Sequence, residues 1–597
     1  MSSVPDRADI DSQYKWDLSS IFSSDEEWEE TAEQVRETLS ALREFEGRVT
    51  EGPETLRSVL ELREEIMRDV HQLSAYARMR RDEDTRVQYY QALTTRAQSL
   101  AADARSAASF IGPEIQELDR DEVRRFQEAE SALAEYDHYF DEVLRMKPHT
   151  RSTEVEALLA DLSDVTGSPG EIYTLLTNAD MTFPTVEDSD GEPVEITLAN
   201  FTKLQKRPDR QVRRDVYEAF YDEWEAIRNA VGTAYQKSAT TDEKLASARN
   251  HDSARAAALY GPNIPESLYD TLIETVEANL EPLHTHTALK RQALGVDELR
   301  MWDLYMPVAT TETPTIEYSE AATYIVEAVR PLGDEYRDRL AAGLESRWVD
   351  VYNNEGKQSG AYSGGTYDTQ PFILMNYQDD ISSMYTLAHE LGHSLHSEYT
   401  SEQQPWIYSD YDIFVAEVAS TVNETLLTHH LMEVIDDPDL RLHILNEYLE
   451  RIRSTLYRQT MFATFEHDAH RRVDAGEALT PTWLDDHYRS LKATYYEPAV
   501  VDDRIAREWM RIPHFYRAYY VFQYATGIAA AAAIVDHILE VGAPAAERYR
   551  EFLGAGSSDY PLELLGIAGV DMDTSAPIEA AIDTYRSHLE TAGSLLE

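Results

Sequence analysis

The sequence predicts a mainly α-helical protein carrying a small β-sheet. Two observations carry this. Apolar residues recur at helical spacing through most of the 597 residues. Stretches of β character are confined to 181–196 and 348–377. The length and a hydrophobic content of 42% allow a large core and exceed one simple domain.

Residues 15–180 read as successive amphipathic helices. Ser23-Ser24-Asp25-Glu26 opens the first, 53–79 forms a second, 86–111 a third and 120–146 a fourth, with Pro113 and Pro148 as punctuation. No apolar set here is tied to catalytic residue types, so the region reads as a lid or wall. Met181-Thr182-Phe183, a turn at Asp190-Gly191 and Val194-Glu195-Ile196 read as a β-hairpin. The expected division is therefore an N-terminal helical region, 1–196, and a second region, 197–597. Helices resume over 198–246 and 265–294, and 310–316 reads as a loop. Residues 348–352 are strand-like, Gly356, Gly360, Gly364 and Gly365 mark turns, and 369–377 is a β-prone run. Helical patterns return over 437–467 and 481–494.

Chemistry concentrates in 385–424. His389 and His393 stand four apart, which on a helix leaves them about 40° apart and one turn above each other. Two imidazoles stacked this way can share one tetrahedral metal. Glu390 points about 100° away from His389, where it can act as a base beside the metal without ligating it. This is the HExxH arrangement of zinc peptidases. Met384, Leu387, Ala388, Leu391 and Leu395 form an apolar stripe, so the histidine face lies beside a buried one. Asp379-Asp380 suit the start of that helix.

A catalytic zinc needs a third protein ligand and an open position. A histidine six residues after His393 would complete the metzincin pattern, but Tyr399 stands there. Glu417, 24 residues after His393, lies in a second helical run in which Phe414, Val418, Val422 and Leu426 share one apolar face. Asp412 is its expected N-cap. Glu424 follows Glu417 by seven residues, on the same face, placed to orient a ligating histidine. His396 is a further candidate close to the motif.

The segment Gly360–Gly365 lacks the Gly-Lys-Ser/Thr ending of a phosphate loop. Peptide binding suits the stretch better. The run 369–377 is expected to be an edge strand that pairs with an extended substrate, with glycines such as Gly360 letting backbones approach.

His389-Glu390-Leu391-Gly392-His393-Ser394-Leu395-His396, followed by Ala416-Glu417-Val418-Ala419-Ser420-Thr421, resembles the oligoendopeptidase F branch of the thimet oligopeptidase family of zinc metallopeptidases. Ser359–Ser363, Gln370–Tyr377 and Tyr14–Leu18 look like the same branch, and the resemblance spans nearly the whole chain. It implies two helical halves enclosing a deep channel, with the small sheet beside the zinc-binding helix and 197–597 as the catalytic region. It also implies a zinc endopeptidase of short oligopeptides, with one Zn²⁺ per chain on His389, His393 and Glu417 and Glu390 as general base. In this family a histidine and a tyrosine five residues on stabilise the oxyanion of the scissile carbonyl, and His514 and Tyr519 match that spacing. A further family tyrosine falls here at Gln523. Tyr516, Tyr520 and Tyr524 therefore stand between a substrate role and core packing. Two other readings stay open: a related peptidyl-dipeptidase, and a non-catalytic peptide-binding protein on the same scaffold.

A net charge of −56 argues against nucleic acid, because phosphate binding needs a basic face. Such a surface suits high salt, where its self-repulsion is screened. Cysteine is absent, which excludes disulfides, cysteine-ligated zinc and thiol catalysis. Residues 1–17 lack the apolar core of a signal peptide, and the small-apolar run 527–535 is too short to span a bilayer. The expectation is a cytoplasmic protein without membrane partners. Oligomeric state leaves no mark on the sequence.

Overall fold

The structure, a computed structural model, describes residues 4–309 and 314–596, so the expected loop at 310–316 lies partly outside the described residues. The protein is mainly α-helical with two small sheets. Contacts divide it into two compact units, each assembled from three stretches of chain. The first comprises 1–148, 314–431 and 534–570; the second comprises 149–313, 432–533 and 571–597.

In the first unit the helices Asp25–Arg43, Pro53–Glu83 and Gln88–Ala108 bury one face each around Trp28, Leu73, Tyr76 and Leu100. Ser24 caps the first of them by accepting the Glu27 N–H. The single helix expected over 120–146 is instead two, Arg120–Ala129 and Asp137–Arg145, joined by a 3₁₀ turn at Ser131–Tyr136. Glu130 leaves the helical region (φ −131°, ψ 97°), which ends the first helix.

The sheet of this unit contains β3 (Val349–Tyr352), β4 (Tyr362–Gly364) and β5 (Phe372–Tyr377); the hairpin strands β1 (Val186–Glu187) and β2 (Pro193–Val194) precede them in the chain. Strand order is β3-β5-β4, with β5 parallel to β3 and antiparallel to β4. The run at 369–377 is therefore the central strand and not the expected edge. Its N–H and C=O groups serve ladders on both sides, and Phe372, Ile373, Leu374 and Met375 are all buried. The edges are β3 and β4.

Phe372 and Leu374 belong to the same core as the N-terminal helices. Trp16 packs edge-on against Phe372 at 6.3 Å and donates its indole N–H to Glu83. Arg7 and Lys357 both meet the buried carboxylate of Asp350 on β3. The N-terminal helices thus share a core with the sheet, whereas 149–196 pack with the second unit. Residue 196 falls within the stretch 149–313, which the contacts assign as a whole to the second unit.

The second unit is built around the 39-residue helix Arg210–Ala248, capped by Asp209 through the N–H groups of Gln211 and Val212. The hairpin β1–β2 is shorter than expected and excludes Met181–Phe183. Glu508, buried, is satisfied by Lys492 (2.7 Å), Arg458 (2.8 Å) and Tyr488 (2.6 Å). The apolar run 527–535 lies within a 20-residue helix, Phe522–Val541, which is long and apolar enough to cross a membrane. Ala525, Ile528, Ala529 and Val535 on it are buried, as in the core helix of a folded domain.

Candidate metal centre

The helix Ile381–Gln403 carries the HExxH sequence. Asp380 caps it, accepting the Ser383 N–H at 2.7 Å. Met384, Leu387, Ala388, Leu391 and Leu395 are buried, which fixes the rotation of the helix and leaves His389 and His393 half-buried on the adjoining face. The helix Ile413–Val434 brings Glu417 to them. Asp412 accepts the Phe414 N–H at its start, and Phe414, Val418, Val422 and Leu426 are buried.

The two helices meet at Gly392. A Cβ placed there would lie 2.6 Å from the Ala419 carbonyl oxygen and from the Ser420 Cα. Only glycine admits that approach, and the approach delivers Glu417 to the histidines. The sequence marked this residue only as a glycine inside a helix, where it costs about 1 kcal/mol relative to alanine.

Three donor atoms converge. His389 Nε2 and His393 Nε2 are 3.2 Å apart, and Glu417 Oε2 stands 3.4 Å from the first and 3.7 Å from the second. Tetrahedral bonds of about 2.05 Å place ligand atoms about 3.3 Å apart, so the set fits a small divalent cation. This is the one such group among the described residues. Glu424, buried, accepts the His389 Nδ1–H at 2.8 Å, turning the Nε2 lone pair toward the other ligands. Burial opposes protonation of His389, but Glu424 and Glu417 outweigh it and raise its pKa. His393, bonded to the backbone of Ala416, is pushed down to about 3 by burial and by its histidine neighbours, and is therefore neutral. Ser420 donates to Glu417 Oε2 at 3.3 Å.

Glu390 is buried and pushed up to about 7 by desolvation, with His389 and a hydrogen bond from the Ser363 N–H pulling the other way. Ser363 lies on β4, and its hydroxyl also meets that of Ser394 at 2.9 Å. Sequence reasoning missed Ser363; its one signal was the glycine-rich stretch around it.

The remaining candidates divide. His396 is buried, stacked on Tyr411 at 3.8 Å, and held neutral at about 3 by burial. Gly360 has φ +89°, which favours glycine, and no atom lies within 4 Å of its Cβ position. His514, Tyr516, Tyr519, Tyr520 and Tyr524 belong to the second unit. Tyr519 is buried and its hydroxyl lies 3.2 Å from His467 Nδ1. Its backbone is left-handed (φ +55°), a conformation that side-chain-bearing residues seldom adopt. The ring parallel to His514 is Tyr520, at 5.7 Å and 6°, with Tyr524 edge-on to both. His514 is kept below its usual pKa by burial and by Arg517 and Arg458. Tyr516 stacks on Tyr173 at 4.6 Å, a packing role.

Residues 203–584 match the model of peptidase family M3, and 114–183 match the oligopeptidase F model. Oligopeptidase PepF of Bacillus subtilis is 41% identical over 99% of this chain and 89% of its own length. Oligoendopeptidase F encoded on a plasmid of Lactococcus lactis is 36% identical over 99% of this chain and 98% of its own. The solved oligoendopeptidase-F of Enterococcus faecium superposes with a TM-score of 0.75 at 34% identity, covering 96% of this chain and 99% of that one. A Chlamydophila abortus structure superposes with a TM-score of 0.92 at 31% identity, covering 99% and 100%.

Proposed function

The chain belongs to the oligoendopeptidase F branch of peptidase family M3, and on that premise we propose that it is a zinc-dependent endopeptidase cutting oligopeptides at internal bonds. The observation that carries this is the convergence of two neutral-capable imidazoles and a carboxylate on one point, with a fourth, unligating carboxyl beside them. Zinc bound there supplies Lewis acidity, acidifying water and polarising a carbonyl.

The chain's own residues do the rest. Glu424 keeps the His389 proton on Nδ1, and burial keeps His393 unprotonated, so both present lone pairs. Glu390 accepts a proton from the attacking water and returns it to the leaving amine. Its raised pKa suits both halves of that task, and a divalent cation nearby draws it back toward the carboxylate form. We assign the oxyanion-donor role to His514 with Tyr520, in place of Tyr519. The support is the parallel face-to-face arrangement of the two rings and their partial exposure. β4, the half-exposed one of the two edge strands, takes the peptide-aligning role. We place the enzyme in a salt-rich cytoplasm, with peptides and not nucleic acid or membrane as partners, on the strength of its charge of −56.

The test is a quenched-fluorescent peptide with both termini blocked. Cleavage should vanish with a chelator and return with zinc, at about one zinc per chain. Glu390→Gln should retain the metal and lose about 10²-fold or more in turnover. Cleavage that requires a free C-terminus would favour a peptidyl-dipeptidase, and full activity of metal-free protein would end the proposal.

A further inference from the structure

A tyrosine in the left-handed region is costly and persists only where its surroundings hold it. At Tyr519 three contacts do so. Its N–H donates to Glu466 Oε1 at 2.8 Å, its ring lies edge-on to Tyr269 at 5.4 Å, and its hydroxyl meets His467. The first is unusual. Glu466 has no exposed surface, and its second oxygen has no hydrogen-bond partner among the described residues. Burial pushes its carboxyl up to about 8, so around neutral pH it adds little charge to the core. A fully buried acid that accepts from a single backbone N–H is a poor device for stability, since burying polar atoms costs free energy.

The turn it holds has a directional effect. Tyr519 goes into the core, while the next residue, Tyr520, lies parallel to His514 with the Arg517 guanidinium 4.0 Å from its ring centre. We propose that Glu466 is a positioning residue: by gripping the Tyr519 N–H it holds the left-handed turn that sets Tyr520 beside His514. This rests on the reading of His514 and Tyr520 as oxyanion donors.

The experiment uses the full chain with three replacements. Glu466→Leu removes the acceptor, Glu466→Asp withdraws it by one methylene, and Glu466→Gln keeps an oxygen in reach. The Leu and Asp variants should lose about 10- to 10²-fold in kcat, the scale of a small misplacement of catalytic groups. KM should stay within about threefold, as for an interaction made only in the transition state. The Gln variant should keep kcat within about threefold. Amide exchange in peptides covering 515–522 should quicken in the Leu and Asp variants and not in the Gln variant. Leu or Asp variants with unchanged kcat, unchanged exchange, or a Gln variant as impaired as they are, would overturn the proposal. If Leu does not fold, the Asp and Gln pair decides. A Tyr520→Phe variant with full kcat would instead sink the donor reading, and the proposal with it, even where exchange upholds the turn.

Discussion

Replacing Gly392 by alanine puts one methyl group where two helices already touch. The added Cβ would meet the Ala419 oxygen and Ser420 Cα at 2.6 Å and the Ser420 nitrogen at 2.8 Å. These are backbone atoms of a helix and cannot swing aside. Ordinary contact begins near 3.4 Å, so the helices must part by about 0.8 Å. Overpacking of this kind costs about 1–3 kcal/mol, partly offset by the roughly 1 kcal/mol that alanine gains over glycine in a helix. The fold should therefore lose at most about 2 kcal/mol. The metal should suffer more. Ligand distances tolerate about 0.2 Å, and Glu417 rides on the displaced helix. Zinc affinity, read by competition with a chromophoric chelator, should fall at least about tenfold. Gly593→Ala is the control, being helical with no atom within 4 Å of the added methyl, and it should bind zinc normally. A Gly392→Ala protein with unaltered zinc affinity would refute the reasoning.

Three further outcomes are expected. Glu424→Gln replaces the charged acceptor of the His389 Nδ1–H by a neutral one, and should weaken zinc binding about 10- to 100-fold while leaving the thermal midpoint of the zinc-free protein nearly unchanged. His286, buried against Tyr585, is lowered to about 3 by desolvation and by Lys290. Its folded value lies below its free value, so its contribution is complete above about pH 6.5 and lost as pH falls toward 3. His286→Gln should flatten the decline of the thermal midpoint across that window, and an equally steep decline contradicts the assignment. With a net charge of −56, midpoint and activity should drop in dilute buffer, where the Debye length grows from about 3 Å at 1 M to about 30 Å at 0.01 M. A midpoint flat from dilute buffer to molar KCl argues against a protein adapted to salt.

The metal centre was legible because its chemistry is local. Four-residue spacing on a helix stacks His389 over His393 whatever surrounds them, and the apolar neighbours of Glu417 announced a face turned inward. What failed to show was long-range. The uninterrupted Phe372-Ile373-Leu374-Met375 is what a strand buried on both faces requires, so it sat at the centre of the sheet and left the edges to β3 and β4. The break at Glu130 has no glycine or proline to mark it. Tyr519 matched a spacing, and spacing gives no sign of its left-handed backbone or of the bond its N–H makes to Glu466, more than fifty residues earlier in the chain.

The hydrogen bond from β4 to Glu390 also acts as a ruler. An edge strand offers its outward N–H and C=O groups at every second residue. On β4 the backbone of Ser363 already acts on the base, so a peptide laid along that edge is counted from that residue. Alignment is then counted in steps of two residues from the base itself. A slip by one would turn every side chain of the guest to the opposite face. Which bond is cut is thereby tied to where a strand begins and ends, and a substitution that shifts β4 should move the cleavage position along the peptide before it slows the cutting.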